Sequence, residues 1–275
     1  MTEPSPTLSR EQVLVVVDDH ADYELRCARA FGVGAEVQLF AMPAVLESDF
    51  ASAVKRMSKR VAQLEGTIGC HGAFMDTIHY SPDLRVREVA RARYLQSMGI
   101  AQALGAQYVV FHSQYNPLVK SAAYPQIYQD GSLQFWPELV EQAANRGLTL
   151  YLENMFDDSP KALCRVVDAI ASPHLRLCLD VSHCRIHSHV DIADWIAAYG
   201  AHLGHVHLND CHGVMDDHLA LGEGSTDIRR ALKLLNQTRL PITLAVETHR
   251  KIAASLHYLG LKRLAAPAQR KSRRK

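Results

Sequence analysis

Eight short apolar runs, separated by longer amphipathic stretches, constrain the fold more than any other feature of this sequence. They are Gln12–Val17, Ala35–Leu39, Thr67–His71, Tyr108–His112, Thr149–Glu153, Arg176–Asp180, Gly204–His207 and Ile242–Glu247. Each is β-rich and nearly continuous in apolar residues, as strands buried on both faces of a parallel sheet are. Helical patterning follows each run, at 21–30, 49–63, 82–104, 137–145, 160–171, 191–199, 227–236 and 251–264. Pro82 suits a first helical turn, and Asp191 and Asp227 suit N-terminal caps. Eight strand–helix repeats predict a single-domain α/β fold, a (β/α)8 TIM barrel over residues 11–264. A doubly wound open sheet is the competing solution, but no GxGxxG follows the first run. Residues 114–134 read as a long connection after the fourth strand, a candidate substrate wall or lid.

Composition narrows the function classes. With 48% hydrophobic and 21% charged residues, the chain is an ordinary globular protein. No apolar run reaches the roughly 18 residues of a membrane span. The net charge of +1 hides an asymmetry: seven bases and no acid occupy residues 262–275, while residues 1–261 hold 23 bases against 29 acids. The body is therefore no strongly basic nucleic-acid binder, and 265–275 reads as a solvated basic tail. Residues 1–10 are polar, with Pro4 and Pro6, and read as a disordered start without a secretory signal. Six cysteines without a CxxC pair argue for reduced thiols and a cytoplasmic location.

The chemistry collects at the strand ends. Strands three to eight end at His71, His112, Glu153, Asp180 (with His183 three residues on), His207 and Glu247. In a parallel barrel these ends form one face, where active sites sit. The loop after strand seven adds Asp216, Asp217 and His218, ahead of Leu221-Gly-Glu-Gly224. A lone strand-end His or Asp is commonly a satisfied polar residue or a helix cap. Six consecutive strands aiming imidazoles and carboxylates at one mouth is a different matter, because like charges packed together repel. Divalent cations relieve that repulsion, and this mixture of donors suits zinc, manganese or iron. The donors outnumber one ion's needs and fit two or three ions sharing a carboxylate.

These segments together resemble the xylose isomerase-like TIM barrels, and among them the endonuclease IV (family 2 AP endonuclease) type of metal site. The matching pieces are His71-Gly-Ala-Phe74, Phe111-His112, Leu152-Glu153-Asn154, Leu179-Asp180-Val-Ser-His183, His207-Leu-Asn-Asp210, Asp216-Asp-His218 with Leu221-Gly-Glu-Gly224, and Glu247-Thr248. The resemblance implies three ions, zinc first and manganese or iron as alternatives. His71 and His112 would hold one, and Glu153 would bridge it to a second held by Asp180, His207 and Glu247. His183, Asp216 and His218 would hold the third, with Asp217 the competing register for that carboxylate. Glu223 would play a supporting part. The first strand, Leu14-Val-Val-Val-Asp18, lacks the Gly-Ala-His-Val-Ser opening of the DNA-repair members, and Phe74 stands where they carry a DNA-probing tyrosine. The metal chemistry therefore carries over better than a nucleic-acid substrate.

Two activities follow. The first is hydrolysis of a phosphoester, a phosphodiester above all, with a metal-activated water as nucleophile and Glu153 as a bridging ligand. The alternative is a sugar or sugar-phosphate isomerase or epimerase. It needs one ion, held by Glu153, Asp180, His207 and Glu247, with Glu153 and Glu247 as the acid–base pair. His71, His112, Asp216 and His218 favour hydrolysis here. Phe74 and Arg185 are candidate substrate contacts, Arg185 for a phosphate.

Overall fold

A parallel strand buried on both faces needs a partner on each edge, and eight of them satisfy this by closing on themselves. The computed structural model describes residues 9–18 and 20–264. The strands are β1 (Val13–Val17), β2 (Gly34–Val37), β3 (Ile68–His71), β4 (Tyr108–His112), β5 (Thr149–Glu153), β6 (Leu175–Asp180), β7 (Leu203–Leu208) and β8 (Thr243–Val246). Each pairs in parallel with the next, and β8 pairs with β1 to close the barrel. The helices are α1 (Ala21–Phe31), α2 (Pro43–Leu46), α3 (Phe50–Val61), α4 (Leu84–Leu104), α5 (Tyr124–Asn145), α6 (Lys161–Ile170), α7 (Val181–His187), α8 (Ile192–Tyr199), α9 (Ile228–Thr238) and α10 (Ile252–Tyr258).

Strand pleating decides what the barrel contains, because alternate side chains point to opposite faces. Val13, Val15 and Val17 face the surrounding helices and belong to the large outer core. Leu14 and Val16 face inward and meet Tyr108, Val110, Tyr151, Cys178 and Ala245. Two residues further along four of those strands stand His112, Glu153, Asp180 and Glu247. The period that fills the barrel with apolar groups thus delivers the polar ones to its mouth. Register places His112 beside Glu153 and Asp180 beside His207.

The helical expectations need three corrections. Residues 124–134 are helical, so α5 starts at Tyr124 and the connection after β4 is confined to residues 113–123. Pro125 provides the first turn, and Pro137, read as a helix start, lies inside. The helix survives because it buries Tyr124, Tyr128, Phe135, Trp136 and Leu139. Helix α7 follows β6 directly, with Asp180 as its cap accepting from the His183 amide at 2.6 Å. Pro82 precedes α4, whose cap is Asp83, accepting from Arg85 N at 2.8 Å. Asp191 and Asp227 cap α8 and α9 as expected.

The polar start and the basic tail fall on residues 1–8 and 265–275, outside the described residues. Arg10, assigned to that start, instead opens a 3-10 turn before β1 and donates to the carbonyls of Phe31 and Lys262. All six cysteines are unpaired. No helix among the described residues is long and apolar enough to cross a membrane.

Candidate metal centre

Glu153, at the end of β5, is 1% exposed and has four imidazoles around it. Its Oε2 lies 3.4 Å from His71 Nε2 and 3.5 Å from His112 Nε2. Its Oε1 lies 3.3 Å from His183 Nδ1 and 3.2 Å from His207 Nδ1. One carboxylate therefore divides its two oxygens between two pairs of histidines. His207 Nδ1 is also 3.2 Å from Glu247 Oε2. Asp216 Oδ2 lies 3.3 Å from His183 Nε2 and 3.0 Å from His218 Nε2. All nine residues expected at the strand ends and in the β7–α9 loop thus meet at one mouth. Potential ligand atoms cluster as His71–Glu153–His207, Glu153–Asp180–His183 and Asp180–His207–Glu247, each set within 4.8 Å.

The tautomers show what this mouth can hold. His71 Nδ1 faces Gly72 O at 2.9 Å, His183 Nδ1 faces Asn154 O at 2.8 Å, and His218 Nδ1 faces Glu247 O at 3.0 Å. A carbonyl only accepts, so each Nδ1 carries its proton and each Nε2 offers a lone pair. Those lone pairs face carboxylate oxygens, which offer lone pairs too. Only a cation between them resolves the conflict, either an extra proton or a metal ion. His71 Nε2, Glu153 Oε2 and His207 Nδ1 are buried without a hydrogen-bond partner. The 3.2–3.5 Å separations of Glu153 from His71, His112 and His207 match the roughly 3.3 Å edge of a tetrahedron built on Zn–N bonds of about 2.0–2.1 Å. The donor set fits a divalent transition metal.

The electrostatics agree. Burial alone would raise the Glu153 carboxyl, but His207 and His112 hold it well below the usual range. Burial pushes Asp180 up to about 6, opposed by His183 and reinforced by Glu153 and Glu247. Burial depresses His112 to about 3, against the pull of Glu153. Burial would lower His218 as well, yet Glu247 and Asp216 lift it to about 10. A cluster this strained in charge suits a functional site.

The remaining candidates divide. Phe74 lies over the mouth, its ring 4.9 Å from that of His112 and 5.6 Å from that of His71. Asp217 turns away and accepts from the His212 amide, which leaves Asp216 as the inward carboxylate. Arg185 is exposed on α7, against Gly213 and along a cavity shared with Asp191 and Arg230, away from the cluster. It follows His183 by two residues, and the helix turn carries it to the outer side. Glu223 is on the surface, paired with Lys251.

Three groups escaped the sequence reading. Asn154 and Asn209 fix Asp180: Asn154 bonds its backbone at 2.9 and 3.0 Å, and Asn209 Nδ2 donates to Oδ2 at 2.8 Å. Asp210 accepts from the amides of Cys211, Gly222, Gly224 and Thr226 at 2.9–3.0 Å. This ties down both ends of the loop carrying Asp216 and His218, and explains the two glycines. Glu36, fully buried inside the barrel, accepts from Tyr108 Oη at 2.7 Å and lies beside His205 and His207. Burial would raise its carboxyl, but those imidazoles, His207 first, hold it well below the usual range. An acid inside an apolar strand at the inward parity was the signal that could have found it.

Residues 27–269 match the xylose isomerase-like TIM barrel family. The chain is 30% identical to TTHB071 protein from Thermus thermophilus, solved after soaking with ZnCl2; the match covers 90% of this chain and 96% of that one, with a TM-score of 0.73. A D-tagatose 3-epimerase-like protein is 22% identical, over 90% and 96% of the two chains, with a TM-score of 0.76. The uncharacterized protein MJ1311 of Methanocaldococcus jannaschii is 26% identical over 70% of this chain and 68% of its own. D-psicose 3-epimerase from Clostridium cellulolyticum H10 and an L-ribulose 3-epimerase share the fold at 14% and 19% identity, with TM-scores of 0.68 and 0.69.

Proposed function

Because the chain belongs to the xylose isomerase-like TIM barrel family, we propose that it is a metal-dependent isomerase or epimerase of a small sugar or sugar phosphate. The observation that carries this reading is the placement of two carboxylates on one imidazole. Glu153 Oε1 and Glu247 Oε2 each lie 3.2 Å from His207 Nδ1, reaching it from different strands. Glu153, Asp180, His207 and Glu247 would hold a divalent ion, zinc first. When bound, such an ion polarises a substrate carbonyl and makes the neighbouring C–H more acidic.

The chain's own groups supply the proton chemistry. Burial opposes ionisation of Glu247, but His207 and His218 hold its carboxyl below its usual value. Glu153 is held lower still. Both are bases near neutral pH. One takes the proton from the carbon beside the carbonyl; the other, once it has taken a proton from solvent or a substrate hydroxyl, returns one to the opposite face. Phe74 gives the sugar an apolar wall. Next to the mouth, a cavity of about 830 Å³ is lined by Arg26, Arg60, Arg250, Lys251 and His249, with Asp22 among them. The His249 ring lies 4.7 Å from that of His218. This basic wall suits a phosphate on the substrate, and the relatives named for sugar 3-epimerases suit the reaction class.

The second reading, phosphoester hydrolysis, is favoured by one observation: Glu153 turns one oxygen to His71 and His112 and the other to His207, and Asp216 joins His183 to His218. A single-ion isomerase does not require that arrangement. Incubation of the metal-loaded chain with ketoses and ketose phosphates in D2O separates the two. Deuterium at the carbon beside the carbonyl, lost in Glu247→Gln, is expected. No exchange with any of them, together with cleavage of a phosphodiester or of abasic DNA, would establish the second reading.

A further inference from the structure

Three of the ligand histidines present Nε2 to the mouth because a backbone carbonyl holds the Nδ1 proton. His207 is turned the other way. Its Nδ1 faces Glu153 and Glu247, and its Nε2 points into the barrel, 3.0 Å from Glu36 Oε1. His207 Nε2 and Glu36 Oε1 are buried side by side, and neither has a directed hydrogen bond to any described residue, each other included; the Cys178 thiol also lies beside His207. We propose that Glu36 is the positioning residue for His207: it holds the proton on Nε2 and so leaves the Nδ1 lone pair for a metal ion. Glu36 does for His207 what the carbonyls of Gly72, Asn154 and Glu247 do for the other three. This rests on the reading of His207 as a ligand.

Glu36 is itself held from two sides. Tyr108 Oη donates to its Oε2 at 2.7 Å, and His205 Nε2 lies 2.9 Å from the same oxygen. His205 Nδ1 is 2.6 Å from Thr243 Oγ1, so the threonine hydroxyl donates while the ring donates onward through Nε2. The chain Thr243–His205–Glu36, with Tyr108 beside it, leaves Glu36 Oε1 free to face only His207. Without that carboxylate, His207 would move its proton to Nδ1, where two carboxylate oxygens wait at 3.2 Å. The lone pair would then be lost to the metal.

The same interior group could be taken for a second metal site, since Cys178, His205 and His207 offer ligand atoms within 4.8 Å. The distances argue otherwise. Contacts of 2.7–3.0 Å around Glu36 are hydrogen-bond lengths. They are shorter than the roughly 3.3 Å separation between ligands of a tetrahedral zinc.

The test is zinc retention by the zinc-loaded full chain against a chelator of known affinity. It compares Glu36→Gln, Tyr108→Phe and His207→Ala with the wild type. Expected is a loss of affinity of roughly 10- to 100-fold in Glu36→Gln, as for other groups that orient a ligand, and a smaller loss in Tyr108→Phe. Unchanged affinity in Glu36→Gln with reduced affinity in His207→Ala overturns the role of Glu36 and keeps His207 as a ligand. Unchanged affinity in both overturns the ligand reading itself. Should Glu36→Gln not fold, imidazole nitrogen NMR on the zinc-loaded wild type decides. A proton on His207 Nε2 with Nδ1 on the metal is expected, and the reverse overturns the proposal. A zinc equivalent lost from Cys178→Ala alone would mark the interior as a metal site instead.

Discussion

At the mouth of the barrel Glu153 meets four imidazoles at 3.2–3.5 Å, whereas inside it Glu36 meets two imidazoles and a phenol at 2.7–3.0 Å. Residue types are shared, burial is shared, and one histidine, His207, belongs to both regions. The difference lies in who holds the protons. Around Glu36 each close contact brings a group that can donate up to a carboxylate oxygen at hydrogen-bond length, with Tyr108 the aligned donor. At the mouth a carbonyl on His71 Nδ1 turns its Nε2 lone pair toward Glu153, and carbonyls on His183 and His218 turn theirs toward Asp216, so lone pairs face lone pairs. One region sets donors against a carboxylate, and the other sets lone pairs against carboxylates at the spacing of metal ligands. Carboxylate–histidine geometry alone therefore does not mark a metal site; tautomer and spacing together do.

The largest expected effect comes from removing the shared carboxylate. Glu153→Gln should lose metal content and lower turnover by about 100-fold or more, beyond the range of a residue that only orients a ligand. Elemental analysis beside an activity assay checks this, and full metal retention would break the contrast between mouth and interior. Chelating the wild-type metal should lower the melting temperature, since an ion at 1,000 times its dissociation constant stabilises by about 4 kcal/mol. Calorimetry with and without chelator measures it; equal melting temperatures would mean the mouth tolerates its charges unaided.

Smaller effects sharpen the comparison at its edges. A Cβ on Gly224 would collide with Asp210 Oδ1 and Cys211 O. Gly224→Ala should therefore cost about 1–3 kcal/mol, the range for overpacking, and loosen the loop that presents Asp216 and His218. Urea unfolding reads the first effect and metal content the second.

His79 offers a third kind of buried histidine, one with no acid beside it. Ser132 Oγ is 3.0 Å from its Nε2, which accepts from Trp136 Nε1 at 3.2 Å, and burial depresses its pKa to about 3. The unfolded chain then binds a proton that the folded chain refuses. Stability from neutral His79 is full above about pH 6.5 and falls as pH drops toward 3, with a slope of up to about 1.4 kcal/mol per unit. His79→Gln should flatten that part of the stability profile, and an unchanged acid slope would contradict it.

Much of this molecule was legible because strand chemistry is local. Eight apolar runs with inward and outward parity are visible residue by residue, and the last inward position of each later strand names the mouth. What escaped depends on contacts across the barrel. Glu36 lies in a four-residue strand, and its partners sit on β4 and β7, far away in sequence. Helix α5 was cut short at Pro137 because its stability comes from packing Trp136 and Tyr128, not from propensity. Arg185 was placed by proximity to His183, but two residues along a helix turn a side chain about 200°, to the opposite side. The two amides that fix Asp180 lay inside the quoted motifs, yet nothing local shows which way they face.

Anomalous diffraction at the zinc edge from a zinc-loaded crystal would test the contrast most directly. Peaks are expected among Glu153, Asp180, His207 and Glu247, with none between Glu36, Cys178 and His205. A peak in the interior, or a mouth without one, would contradict the assignment of the two regions.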